Sequence, residues 1–137
     1  MNPLPLAVEA VKTSIDVKDF VVISPKSMSI LLKDGTLVRV VSMGCVDSGS
    51  VAHIWVSNPP PTEDKVAWGK LFIKIASAVF DPADAKSFAA WLPEAEFTRT
   101  DRFILSASTS QNIDMAIDVE SLFDGITVEI TMSVTYH

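Results

Sequence analysis

Residues 126–137 read Ile126-Thr127-Val128-Glu129-Ile130-Thr131-Met132-Ser133-Val134-Thr135-Tyr136-His137. Every even position is apolar and every odd position polar, the period of a half-buried strand. Upstream, Ile113, Met115, Ile117, Val119 and Phe123 alternate in the opposite parity, broken at Ser121, and Asp124-Gly125 joins the two runs. A two-residue turn at Asp124-Gly125 pairs 123 with 126, 119 with 130, 117 with 132 and 115 with 134. Turn chemistry and side-chain parity thus select the same register. The segment reads as an antiparallel hairpin with one buried and one wet face.

This register sets Glu120 directly opposite Glu129, Asp118 opposite Thr131 and Asp114 opposite Thr135. Like charges so placed cost a few tenths to ~1 kcal/mol. Arg99 or Arg102 on a neighbouring strand, the basic patch of a partner, or a hard cation would offset that cost. Calcium takes roughly six to eight oxygens, normally gathered by a loop. Asp114, Asp118, Glu120 and Glu129 are instead strung along flat strands. They are read as a solvated acidic face able to bind a protein partner, and not as a metal site.

Upstream of the hairpin, 97–109 reads as a strand, strongest at Phe103-Ile104-Leu105. Asp81-Pro82 supplies an N-cap and first helical residue for a helix carrying Ala85, Phe88, Ala89, Trp91 and Leu92, ended by Pro93. Before it, Trp68, Phe72, Ile75 and Val79 recur at 4, 3 and 4, predicting a helix over 63–79 capped at Thr62. Gly69 and the run Leu71-Phe72-Ile73-Lys74-Ile75 keep a strand open there. Asn58-Pro59-Pro60-Pro61 is a stiff, extended divide between this helical middle and the first half.

In the first half, Leu4, Val8, Val11 and Ile15 predict a helix over about 5–17, and Phe20-Val21-Val22-Ile23 a short strand. Asp34-Gly35 between two apolar runs predicts a second two-residue hairpin, with Leu32 facing Leu37, Ile30 facing Arg39 and Met28 facing Val41. That places Arg39 on an apolar face, where its guanidinium must find a carboxylate, an anionic ligand or water. A further strand, Val51 to Ser57, sets His53 and Trp55 on one face and Ala52, Ile54 and Val56 on the other. Arg39, His53 and Trp55 are therefore the candidate ligand-binding residues.

Assembled, the chain is α+β, a mostly antiparallel sheet of about six strands with two or three helices packed on one face. The 137 residues suffice for a single domain over 1–137 with a substantial core. Apolar residues make up 48% and charged residues 20%, which excludes a disordered or polybasic chain. Eleven Lys and Arg against 17 Asp and Glu give a net charge of −6, arguing against a nucleic-acid or anionic-membrane partner. Cys45 is the one cysteine and cannot form an internal disulfide, which fits a reducing, cytoplasmic setting. No secretory signal pattern and no long apolar run is present.

The catalytic inventory is thin. The five glycines form no phosphate-binding pattern, and neither G-x-S-x-G nor H-E-x-x-H occurs. Cys45 with His53 is the one thiol–base candidate, and Cys45 in its Val/Met-rich setting reads as a buried filler. The triad types Asp47, Ser48 and His53 share a loop, which is no evidence of triad geometry. No cofactor or metal is implied. A mean hydropathy of +0.32 is high for a small chain and points to a face buried against a second copy. The expected function is a small acidic non-catalytic interaction protein, dimeric and binding another protein. The alternatives are a small-molecule binder with an apolar pocket between helices and sheet, or a small enzyme using a carboxylate or His53 as base.

Overall fold

The computed structural model of the chain describes residues 6–44, 48–110, 113–122 and 126–136. Helix α1 (Val8–Thr13) is followed by strands β1 (Val17–Ser24), β2 (Ser27–Leu32), β3 (Leu37–Gly44) and β4 (Ser48–Ser57). Helices α2 (Lys65–Val79) and α3 (Pro82–Trp91) come next, then a 3₁₀ turn at Leu92–Glu94. Strands β5 (Leu105–Ser110), β6 (Ile113–Ser121) and β7 (Thr127–Tyr136) complete the order. The fold is α+β, with seven strands where about six were expected. Leu4, Cys45, Asp47, Phe123, the Asp124-Gly125 turn and His137, all named above, lie outside the described residues.

The strands form one sheet in the order β1-β2-β3-β4-β7-β6-β5, every neighbouring pair antiparallel. The first four strands meander to the centre. The helices then carry the chain across one face to the far edge, from which β5, β6 and β7 return to close against β4. The β6–β7 register is the one the alternation predicts: Val119 pairs with Ile130, Ile117 with Met132 and Met115 with Val134.

The first hairpin differs by one residue. Leu31 pairs with Leu37, Ile30 with Val38, Ser29 with Arg39 and Met28 with Val40. The loop has three residues, because Leu32 and Thr36 are already bonded across it (Leu32 N to Thr36 O, 2.9 Å). Gly35 takes φ +91° and the Asp34 carboxylate accepts the Thr36 amide at 2.9 Å. Asp-Gly thus serves a three-residue turn with a left-handed glycine instead of the two-residue turn expected. A one-residue slip sends every side chain to the other face. Val38, Val40 and Ser42 are buried, while Leu37, Arg39 and Val41 point away from the core.

Helix α2 settles the helix-or-strand question at 65–79. Its cap is Asp64, whose carboxylate accepts the Ala67 amide at 3.1 Å, in place of the expected Thr62. Trp68, Phe72, Ile75 and Val79 all lie in the core. Asp81 caps α3 as expected, accepting the Asp84 amide at 2.9 Å with Pro82 first in the helix. Pro93 sits in the 3₁₀ turn beyond the helix end.

Helix α1 is shorter than expected. It stops at Thr13, whose hydroxyl donates back to the Glu9 carbonyl at 2.9 Å, and Ile15 falls in the following turn, 82% exposed. The expected strand 97–109 shrinks to 105–110. Thr98 forms a lone bridge to Ser106, and the Thr100 hydroxyl accepts the Phe103 amide at 2.9 Å, folding 99–104 into a local turn.

The core lies between the helices and one face of the sheet. Phe72, Phe80 and Phe88 are fully enclosed with Met28, Ile30, Ile54, Ile117, Ile130 and Met132. Phe80 and Phe88 stack at 5.3 Å, tying α2 to α3. The Asp34 carboxylate and Lys74 ammonium pair across the β2–β3 turn and α2. Burial raises the Asp34 pKa; the Lys74 hydrogen bond and those from Thr36 outweigh it, leaving it at about 2. Among the described residues, no helix is long and apolar enough to cross a membrane.

Candidate functional site

Helices cover one face of the sheet and leave the other open. Pairing across strands arranges that outer face in rows. One row runs Ser29, Arg39, His53, Thr131, Asp118, Ser106 from β2 to β5. The next holds Leu31, Leu37, Trp55, Glu129 and Glu120. A third holds Ser27, Val41, Val51, Ser133, Ala116 and Ser108. Asp114 lies in the row beyond, opposite Thr135.

All seven sequence-predicted site residues therefore share this one face. Arg39 belongs here and not on the apolar face to which the expected register assigned it. Its Nε donates to the Ser29 hydroxyl at 2.9 Å, and its backbone neighbour across β3–β4 is His53. The His53 ring lies 6.5 Å from that of Trp55, tilted by 30°, and its Nδ1 is 3.8 Å from Glu129 Oε1. Glu120 stands opposite Glu129 as predicted. The repulsion is offset on one side by Arg102, whose Nε and Nη2 donate to the two Glu120 oxygens at 3.3 and 3.4 Å. Arg102 was one of the two arginines the sequence offered for that role. Asp118 accepts the Ser106 hydroxyl at 2.6 Å. Among the described residues, no group of three or more His, Cys, Asp or Glu side chains gathers as metal ligands.

The rows divide the face about its central strand. On the β1–β4 side stand Leu31, Leu37, Val41, Val51 and Trp55, with Arg39 and His53 among them. On the β7–β5 side stand Asp114, Asp118, Glu120 and Glu129 among serines and threonines. Leu37 is 47% exposed, so part of the apolar half meets solvent in the single chain. The acidic half was legible from the hairpin register, and the His53–Trp55 pair from strand period. The division itself was not, because it depends on β7 lying beside β4, a long-range pairing.

Two further features take shape only in the fold. Asp84, only 2% exposed, accepts a hydrogen bond from the Tyr136 hydroxyl and sits three residues after its neighbour Asp81. Burial first, and the Asp81 carboxylate second, push its pKa up to about 7. Asp84 follows the N-cap in a first turn and therefore looks like a dipole partner; only the packing of α3 against β7 reveals its burial. The second is an open apolar groove along α2, bounded by the 3₁₀ turn, Phe97 and the start of β5. Its one signal in the sequence is Gly69, in mid-helix. Comparison with family models, with curated proteins and with solved structures finds no match to this chain.

Proposed function

We propose that this chain is a non-catalytic protein-binding domain that works as a homodimer, joined through the outer face of its sheet. The observation that carries the reading is the division of that face into a mainly apolar half that bears Arg39, with Asp19 at its outer edge beside Leu31, and an acidic half. The dividing strand is β4, fourth of seven in the sheet. A two-fold axis over β4 lays β3 of one copy over β7 of the other, and β2 over β6. Arg39 then meets the acidic half of the second copy, while Val51 and Trp55 meet their own counterparts at the axis. Such a contact is self-complementary, as a two-fold interface must be. Sheets packed face to face, about 10 Å apart, would take the exposed Leu37 and the half-buried Val51 and Trp55 further out of water. The contacts that Arg39 makes set a cation against the acidic half of the second copy, which favours register and specificity more than raw affinity.

Sedimentation velocity of the full chain across a micromolar concentration series tests the reading. The expected species is a dimer, and Arg39→Glu, which sets like charges against each other at both symmetry-related contacts, converts it to monomer. A chain that remains monomeric throughout the series overturns the proposal.

A further inference from the structure

Away from the outer face, α2 carries a second stripe beside its core stripe. Val66, Gly69 and Ile73 recur at 3 and 4 and are left uncovered by the fold, with Val66 69% and Ile73 39% exposed. With Leu92, Phe97 and Leu105 they wall an open groove of about 400 Å³. That volume falls within the roughly 300–1,000 Å³ of small-molecule sites.

Gly69 is the informative residue. A glycine inside a helix costs about 1 kcal/mol against alanine. A Cβ at this position would meet no heavy atom within 4 Å. Packing within the chain therefore does not require a glycine there, and its missing side chain deepens the groove. The rim carries the second clue. Lys65 and Lys70 line the groove, and neither has an ion-pair partner among the described residues, although the chain carries a net charge of −6. Lys74, one turn further along α2, is paired with Asp34. Two free ammonium groups over an apolar trough present the charge complement of an anionic amphiphile.

We propose that this groove binds a small amphiphile, with an aliphatic tail along Gly69 between Ile73 and Phe97 and an anionic head met by Lys65 and Lys70. The apolar walls contribute by removing the tail from water, at about 25 cal/mol per Å² buried. The lysines select the sign of the head. The site is separate from the dimer face and independent of it.

Isothermal titration of the full chain with dodecanoate, kept below its micelle concentration, is the direct test, with dodecyltrimethylammonium as the charge control. Saturable binding of one dodecanoate per chain is expected, with the cationic probe at least tenfold weaker. Gly69→Leu fills the trough with a better helix former and should abolish binding while holding or raising the thermal midpoint. The exposed double variant Lys65→Glu/Lys70→Glu leaves the core untouched and should weaken binding at least tenfold, which keeps the test intact should Gly69→Leu misfold. Arg39→Glu should bind dodecanoate as the unmodified chain does, so failure of the dimer reading and failure of this one are distinguishable. Absence of saturable binding overturns the proposal. So does equal binding of the two probes, or binding undiminished in the lysine double variant or in a folded Gly69→Leu variant.

Discussion

Tyr136, near the end of β7, donates its hydroxyl to the buried carboxylate of Asp84 in the first turn of α3. The contact fastens a helix to the central part of the sheet, and it does so with a group whose ionised form is disfavoured there. Burial raises the Asp84 pKa, and the charge and hydrogen bond of the neighbouring Asp81 add to it.

Asp84 makes folding stability depend on pH. Its pKa is about 7 in the fold against an ordinary aspartate value of 3.8, so the folded chain holds the proton more tightly. The resulting contribution is complete below pH 3.8 and is lost as pH rises through 7. At about 1.4 kcal/mol per unit the loss reaches at most about 4 kcal/mol. Urea unfolding at pH 5 and pH 8.5 should show lower stability at the higher pH. Asp84→Asn, which keeps an acceptor for Tyr136 without the charge, should flatten that dependence. An unchanged slope in Asp84→Asn would place the titration elsewhere.

The Asp34–Lys74 pair acts in the opposite window. Asp34 is held at about 2, below its usual 3.8, so its contribution is present above pH 3.8 and disappears as pH falls through 2. Both side chains are partly in water, with 33% of Lys74 and 43% of Asp34 exposed. The contribution is therefore under about 1 kcal/mol. Lys74→Ala should lower stability by that amount at pH 7 and leave it nearly unchanged at pH 2. A large loss at both pH values would mean that the lysine stem, and not its charge, holds α2 to the turn.

At Gly49 the β4 and β7 backbones approach closely. A Cβ built there lies 2.4 Å from the Val134 carbonyl oxygen and 3.1 Å from the Thr135 Cα, both backbone atoms that cannot rotate aside. Gly49→Ala should destabilise the chain by about 1–3 kcal/mol, the usual range for overpacking. Thermal unfolding measures it, and a neutral substitution would show that the two strands separate easily at this end. Gly69→Ala, in open space, should by contrast stabilise by up to about 1 kcal/mol.

How much of this was legible in the sequence depends on how many signals agreed. For Ile113–Tyr136, side-chain parity and turn chemistry agree, and the register, the buried face and the Glu120–Glu129 opposition all follow. For Ser27–Gly44 they do not. Leu31, Leu37 and Val41 put apolar residues on the outer face, so parity distinguishes the faces poorly, and Asp34-Gly35 is compatible with two loop lengths. The turn geometry alone then decides the register, and with it the position of Arg39. Helix α3 was readable because Phe88 supplies period and Asp81-Pro82 a strong start, whereas for α2 the period of Trp68, Phe72, Ile75 and Val79 competed with the strand-like run 71–75 and only the fold decided. The groove was not readable, because Phe97 and Leu105 reach α2 only through the tertiary fold. The same holds for the divided outer face, which exists only once β7 pairs with β4.

Mixing two charge-reversed chains tests the divided face most directly. Arg39→Glu and Glu129→Arg should each be monomeric, since each sets like charges against each other at both contacts of a symmetric dimer. Glu129→Arg relieves the opposition to Glu120 within the chain while giving up the contact with His53 Nδ1, so thermal unfolding of the variant should confirm a folded chain before it is mixed. Combined in equal amounts, the two should form a heterodimer, seen in native mass spectra as the sum of the two masses and in preference to either homodimer. Two monomers that ignore each other, or variants that dimerise as the unmodified chain does, would contradict a dimer built on the divided face.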